Sequence, residues 1–228
     1  GKVVDVDSLT HWSIDVYDNA MLAIALENLA ELSDQESHKE RWMALHSSII
    51  SGIREHLWDP EQKKFIPHVY PGASPFPEDF NENEIHYHGG TAVAIEAGVL
   101  TGDEIAAVLT HMKTNVELSG APSIGLTLYP PYPPEVLAEN ISRPYEYQNG
   151  GDWTWFGGRM IQQLIAHGFV EEAYLAAKPM MERVVANKGF YEWYRLDGTP
   201  AGSAEFKGSA GVLAGAIQMF YEWANQHR

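Results

Sequence analysis

Cysteine is absent from the 228-residue chain. That gap removes disulfide cross-links, thiolate catalysis and Cys-ligated zinc, and it leaves the compartment open, because such a chain suits either redox environment. Positive charge is scarce: 15 Lys+Arg stand against 31 Asp+Glu, for a formal net charge of −16. Phosphate-backbone binding needs clustered Lys and Arg, so no nucleic-acid partner is expected. No basic run offers itself to an anionic membrane, and no run of about 18 apolar residues could span one. The opening residues GKVVDVDSL lack the charged-then-apolar layout of a signal peptide. A soluble protein is expected, with the cytoplasm ahead of other locations. The leading Gly1, with no Met, suggests a tag remnant or a processed or trimmed chain. Walker, dinucleotide-fingerprint and G-x-S-x-G motifs are missing too.

Apolar periodicity is plentiful. Val16, Tyr17, Ala20, Met21, Ile24 and Leu29 fall on one side of a helix over Asp15 to Leu32. Ser33 and Glu36 have capping-box spacing and predict a second helix, which Asp59-Pro60 stops after Trp58. Residues 60–90 read as loop, ending in Ile85-His86-Tyr87-His88-Gly89-Gly90. A short helix follows over Thr91 to Leu100. Thr101 and Glu104 form a second capping box, opening a helix to about Asn115. Residues 117–152 hold prolines at 122, 130, 131, 133, 134 and 144 and predict a long irregular segment, which in a compact domain is usually functional. Helices over Trp153 to His167, Val170 to Asn187 (kinked at Pro179) and Lys207 to Asn225 complete the pattern, with Phe190 to Tyr194 extended. The fold class expected is all-α: antiparallel helical hairpins joined by short turns, with the long loops gathered at one end.

Four constellations could carry chemistry. Tyr147, Gln148, Asn149, Gly150, Gly151, Asp152, Trp153 and Trp155 join hydroxyl-binding amides, a glycine pair, a carboxylate and two indoles that can stack on a sugar face; Asp152 reads equally as a helix N-cap. In Tyr191-Glu192-Trp193 a carboxylate is flanked by aromatics, which desolvate it and tune its acidity. Thr10 to Asn19 places Trp12, Asp15 and Asp18 at a helix start, where the dipole favours acids in any case. His86 and His88 could line a ligand or belong to the core. No third metal ligand has matching spacing, so no metal is expected.

On these segments the chain resembles the six-hairpin glycosidases of the (α/α)6-barrel clan: glycoside hydrolase family 63, the neutral invertases and the amylo-glucosidase-type enzymes. SIDVYDNAMLAIALENLAEL, AIEAGVLTGDEIAAVLTHM, GAPSIGLTLYP, YQNGGDWTWFGG and GFYEWYRLDGTPAGSAEFKGSAGVLAGAI follow the family's order. The resemblance runs from about residue 12 to 222 and is strongest over 144–217. It implies an (α/α)6 toroid or an incomplete part of one, matching the C-terminal part of the full barrel. It implies one domain over 1–228, as a fragment or shortened version, with a second chain as one way to complete the toroid. It implies an inverting hydrolase for glucoside-like O-glycosidic bonds that needs no cofactor. Glu192 is then the general base and Asp152 the second carboxylate of the site, while Asp5, Asp7 and Asp15 are the candidates for the acid. Trp12, Asp15, His86, His88, Tyr147, Gln148, Asn149, Gly150, Gly151, Trp153, Trp155, Tyr191 and Trp193 would bind an oligosaccharide or glycoside. A phosphorylase or epimerase on the same architecture, or a carbohydrate-binding or assembly module without catalysis, are the alternatives. A phosphorylase needs a cationic cradle that the scattered Lys and Arg do not form; an epimerase would use His86 and His88.

Overall fold

The computed structural model describes residues 12–134 and 143–227. Seven α-helices carry the fold: α1 (Val16–Leu32), α2 (Glu36–His56), α3 (His88–Glu96), α4 (Gly102–Ser119), α5 (Thr154–Ala166), α6 (Val170–Asn187) and α7 (Lys207–Gln226). Six two-residue strands punctuate the loops: β1 (Ile14–Asp15), β2 (Trp58–Asp59), β3 (Lys64–Phe65), β4 (His68–Val69), β5 (Trp193–Tyr194) and β6 (Pro200–Ala201). The architecture is all-α, built of antiparallel helical hairpins of the (α/α)6 type or an incomplete part of one. No described helix is long and apolar enough to cross a membrane.

Local chemistry sets the helix ends. Asp15 caps α1, its Oδ1 accepting from the Asp18 N–H at 2.9 Å. Thr101 and Glu104 form the expected capping box at α4. The box expected at Ser33 does not form: Gln35 is the N-cap of α2 without a side-chain bond, and the Ser33 hydroxyl accepts from the Gln35 N–H, turning the chain out of α1. α4 runs to Gly120, whose φ of 72° supplies the left-handed stop that only glycine adopts without cost. α3 begins earlier than expected, at His88, because Gly89 and Gly90 are helical. A Cβ at Gly90 would lie 2.9 Å from the Tyr87 ring and closer still to Val16, so the glycine lets α3 press onto α1.

α1 packs on α2 and α3, α3 on α5, and α5 on α6 and α7. This places α1, α3, α5 and α7 in one layer, backed by α2, α4 and α6. α3 is buried on every side from His88 to Ile95, as its unbroken small and apolar sequence requires. The main core joins Val16, Ala20, Phe65, Met112, Leu164 and Met180 among others. α1 and α7 make no substantial contact with each other, and each keeps an exposed apolar edge, Leu22, Leu29 and Leu32 on one and Ile217, Tyr221 and Trp223 on the other.

Hairpin turns at 33–35, 97–101 and 167–169 are short, so the long loops 57–87 and 188–206 and the described segments 120–134 and 143–153 all meet at the N-terminal ends of α1, α3, α5 and α7. Backbone pairing stitches them together. β1 pairs with β4, His86 bridges Tyr129, Leu126 bridges Asp152, and Asp152 bridges Tyr194. This end holds the candidate site.

Candidate functional site

A cavity of about 420 Å³ opens at the loop end. That is enough volume for a monosaccharide unit. Asp15 and Asp18 stand on one wall, carried by β1 and the first turn of α1. Tyr17, Tyr87, Tyr132 and Phe156 supply aromatic surface, while Gln148, Asn149, Thr127 and His68 add polar groups. Tyr17 and Phe156 meet edge to face with ring centroids 5.8 Å apart, which fixes the floor between α1 and α5.

The two aspartates differ in their bonds. One Asp15 oxygen caps the helix. Asp18 lies three residues on, at the water-exposed mouth, without an ion-pair partner among the described residues. Partial burial, and then the neighbouring charge of Asp15, hold the Asp18 carboxyl above the usual carboxylate range. An acid so placed retains its proton to higher pH than an isolated aspartate.

Of the residues expected to bind substrate, Asp15, Gln148 and Asn149 line this cavity. The Asn149 side chain also fastens the opposite loop: its Oδ1 accepts from the Tyr132 N–H at 2.7 Å, and its Nδ2 donates to the Tyr132 carbonyl at 3.0 Å. Trp12 is 67% exposed, just before β1. Gly150 and Gly151 are buried within the tight 145–152 turn. Tyr147 packs against Trp153 and Trp193, with centroids 5.1 and 6.4 Å away.

Several candidates lie elsewhere. Trp153 is buried, its indole N–H donating to the Tyr147 carbonyl at 2.8 Å, so its face is committed to packing on Phe156 and Phe206. The Trp155 ring carries the Arg159 guanidinium 4.5 Å from its centroid. Trp193 is buried under Arg195, and Tyr191 packs on Tyr194. His86 and His88 do not line this cavity. They stack at 5.9 Å in a small separate recess with His111 and Lys64. Burial, and for His86 then the charge of Lys64, push these two imidazoles down, to about 4 for His86 and about 3 for His88. The His88 Nε2 accepts from Asn115 at 3.0 Å, a bond that needs the neutral ring. His88 is therefore a core histidine.

Asp152 is the clearest correction. Neither a catalytic position nor a helix cap fits its surroundings: it is 1% exposed, and the N-cap of α5 is Trp153. Ser123 donates to both carboxylate oxygens at 2.8 and 2.7 Å, and Arg183 of α6 donates to Oδ1 at 2.8 Å. The same guanidinium donates to Thr154 at 2.7 Å and lies 3.9 Å from the Tyr194 ring centroid. A Cβ at Gly125 would collide with the Asp152 carboxylate and the Trp153 carbonyl, so a side-chain-free residue is required there. Asp152 is the electrostatic hub that binds loop, strand and outer helix together.

Glu192 is partly buried on the 188–206 loop, and its Oε2 accepts from the Ser203 N–H at 3.0 Å. It faces Tyr147, whose phenol is raised by burial and then by the Glu192 charge. It is not among the residues lining the cavity. Asp5 and Asp7 lie outside the described residues. Tyr132, Thr127 and His68 were not singled out from the sequence, and Asp18 entered only as one carboxylate of the helix-start constellation. Asp18 had a signal, since i, i+3 spacing from Asp15 puts both on one face of the first turn. His68 had none, because its place depends on β1–β4 pairing across more than 50 residues. Among the described residues, no cluster of three or more His, Asp or Glu could hold a metal ion.

No family profile and no curated protein matches the chain. Solved structures do. An uncharacterized conserved protein from Thermus thermophilus superposes with a TM-score of 0.66 at 18% identity, covering 93% of this chain and 47% of that one. GH63 mannosylglycerate hydrolase from the same organism, in complex with glucose, gives 0.65 at 19% identity, covering 92% and 48%. The same hydrolase with Tris and D-glycerate gives 0.63 at 18%, covering 92% and 46%. The chain has the GH63-like fold. It spans about half the length of these structures.

Proposed function

We propose that the protein is an inverting glycoside hydrolase acting on glucoside-like O-glycosidic bonds. The observation that carries the reading is the Asp15–Asp18 pair on the wall of an aromatic-lined cavity of sugar size, with the Asp18 carboxyl raised above its usual range by partial burial and then by Asp15. A glucose complex among the structures of similar fold supports a sugar ligand. In this mechanism Asp18 protonates the leaving oxygen, while a carboxylate on the opposite face of the ring activates water, with the carboxyl groups roughly 6.5–9.5 Å apart. Stabilisation of the oxocarbenium-like transition state is local, so the chemistry uses no cofactor.

The base comes from the 188–206 loop. Glu192 is the first assignment, standing behind Tyr147, whose neighbours Gln148 and Asn149 line the cavity. Glu205 is the second: it is exposed, has no ion-pair or hydrogen-bond partner among the described residues, and precedes Phe206, which packs on Trp153. The whole chain is one catalytic (α/α) unit in this reading, corresponding to the C-terminal part of a full barrel, with the remaining hairpins supplied by further chain or by a second chain.

The test is product stereochemistry and rate on aryl and disaccharide glucosides, followed by NMR. Turnover with inversion, lost in Asp18→Asn and in one of Glu192→Gln and Glu205→Gln, supports the assignment and names the base. Tight sugar binding by the intact protein without hydrolysis makes it a carbohydrate-binding module instead.

A further inference from the structure

His68 stands on the cavity wall beside the acid turn, because β4 pairs with β1 and sets His68 opposite Asp15. Its Nδ1 lies 2.7 Å from Glu82 Oε1. The Glu82 side chain is only 10% exposed, and no Lys or Arg pairs with it among the described residues. Hydroxyls hold it instead: Tyr70 donates to both oxygens at 3.1 Å, and Tyr132 donates to Oε1 at 2.5 Å. Both phenols are raised well above the usual range, by burial first and then, for Tyr132 by its hydrogen bond to Glu82 and for Tyr70 by the Glu82 charge, so both remain donors. Three donated contacts from the two phenols leave Glu82 an acceptor, so the proton between it and His68 sits on Nδ1. In the neutral ring Nε2 is then a lone-pair acceptor. No described protein group bonds it, and the ring remains 28% exposed on the cavity side.

We propose that His68, oriented by Glu82, is a specificity-determining acceptor for one hydroxyl of the sugar in this cavity. The inference rests on the glycoside reading above and adds to it the residue that rejects a sugar lacking that hydroxyl. A site built to bond a hydroxyl discriminates strongly against its absence, because the acceptor is then left without a partner. The Glu82 anchor matters because it prevents the ring from flipping its tautomer and offering a proton where the sugar also offers one.

The experiment is titration calorimetry of the intact protein with D-glucose and its monodeoxy derivatives, for wild type, His68→Phe and Glu82→Gln. The imidazole nitrogen shifts of His68 are read alongside by NMR. The expected result is a neutral Nδ1–H tautomer in the wild type and one monodeoxy sugar bound about tenfold or more weakly than glucose. His68→Phe keeps the ring's packing on Tyr70 but binds glucose about tenfold more weakly and no longer distinguishes that deoxy sugar. Glu82→Gln narrows the same discrimination. Sugar binding that ranks the series identically in wild type and His68→Phe overturns the inference while leaving the glycoside reading intact. So does an Nε2–H tautomer in the wild type, a measurement that needs no variant. Absence of any sugar binding by the wild type overturns both.

Discussion

Asp152 and Asp18 sit at the same loop end of the bundle, and their surroundings are opposite. Asp152 is buried and meets a guanidinium and a hydroxyl; Asp18 is open to water and meets the charge of a second aspartate. A buried carboxylate survives only when donors replace its lost hydration, and once they do it is held in place and poorly suited to exchange a proton with a ligand. A carboxylate beside a like charge and without a cation keeps its proton to higher pH than an isolated one. Flanking aromatics made Asp152 look functional in the sequence. What distinguishes the surroundings of these two acids is the identity of their donors and charged neighbours.

Variants of the two aspartates should differ most. Asp18→Asn should lower kcat by about 10²- to 10⁴-fold, the usual worth of a positioned general acid, with a melting temperature near wild type. Asp152→Ala should cost about 3–5 kcal/mol of stability in urea denaturation, because it strands Arg183 in the core. If Asp152→Ala instead kept its stability and lost turnover, the two roles would be exchanged.

A buried imidazole extends the contrast to the basic side. His88 is neutral in the folded state with its proton affinity pushed down to about 3, whereas the unfolded chain titrates near the ordinary 6.5. Only the unfolded state gains a proton as pH falls through 6.5, so this contribution to stability is complete above that pH and shrinks below it. At pH 5 the loss amounts to roughly 2 kcal/mol. Thermal melts from pH 7.5 to 5 should show this slope, and His88→Gln should flatten it.

Glu104 gives the smallest effect. Burial alone would raise its carboxyl, but the Thr101 N–H and the Arg54 guanidinium outweigh burial and hold it below the usual range. Thr101→Ala removes the two bonds of the Thr101 hydroxyl to Glu104 and should cost about 1 kcal/mol by chemical denaturation.

Helices were legible because their signals are local. Apolar spacing, the Thr101 box and the glycine stops each act within one or two turns, and every expected helix is present. Ser33 misled because its hydroxyl found the nearer Gln35 N–H, and Gly89-Gly90 misled because glycine also serves close helix packing. The segment before the helix expected at Trp153 does lie at the loop end, yet which of its side chains face the cavity depends on bridges to Leu126 and Tyr194. Those pairings join distant segments, and no local pattern encodes them. The same holds for His68.

Asp18 as general acid is tested most directly by the activity of Asp18→Asn on two substrates, an alkyl glucoside and a glucosyl fluoride. Fluoride departs without protonation, so only the alkyl glucoside needs an acid. The variant should nearly lose hydrolysis of the alkyl glucoside and keep most of its rate on the fluoride. Equal loss on both, or no loss on the alkyl glucoside, would contradict the role given to Asp18.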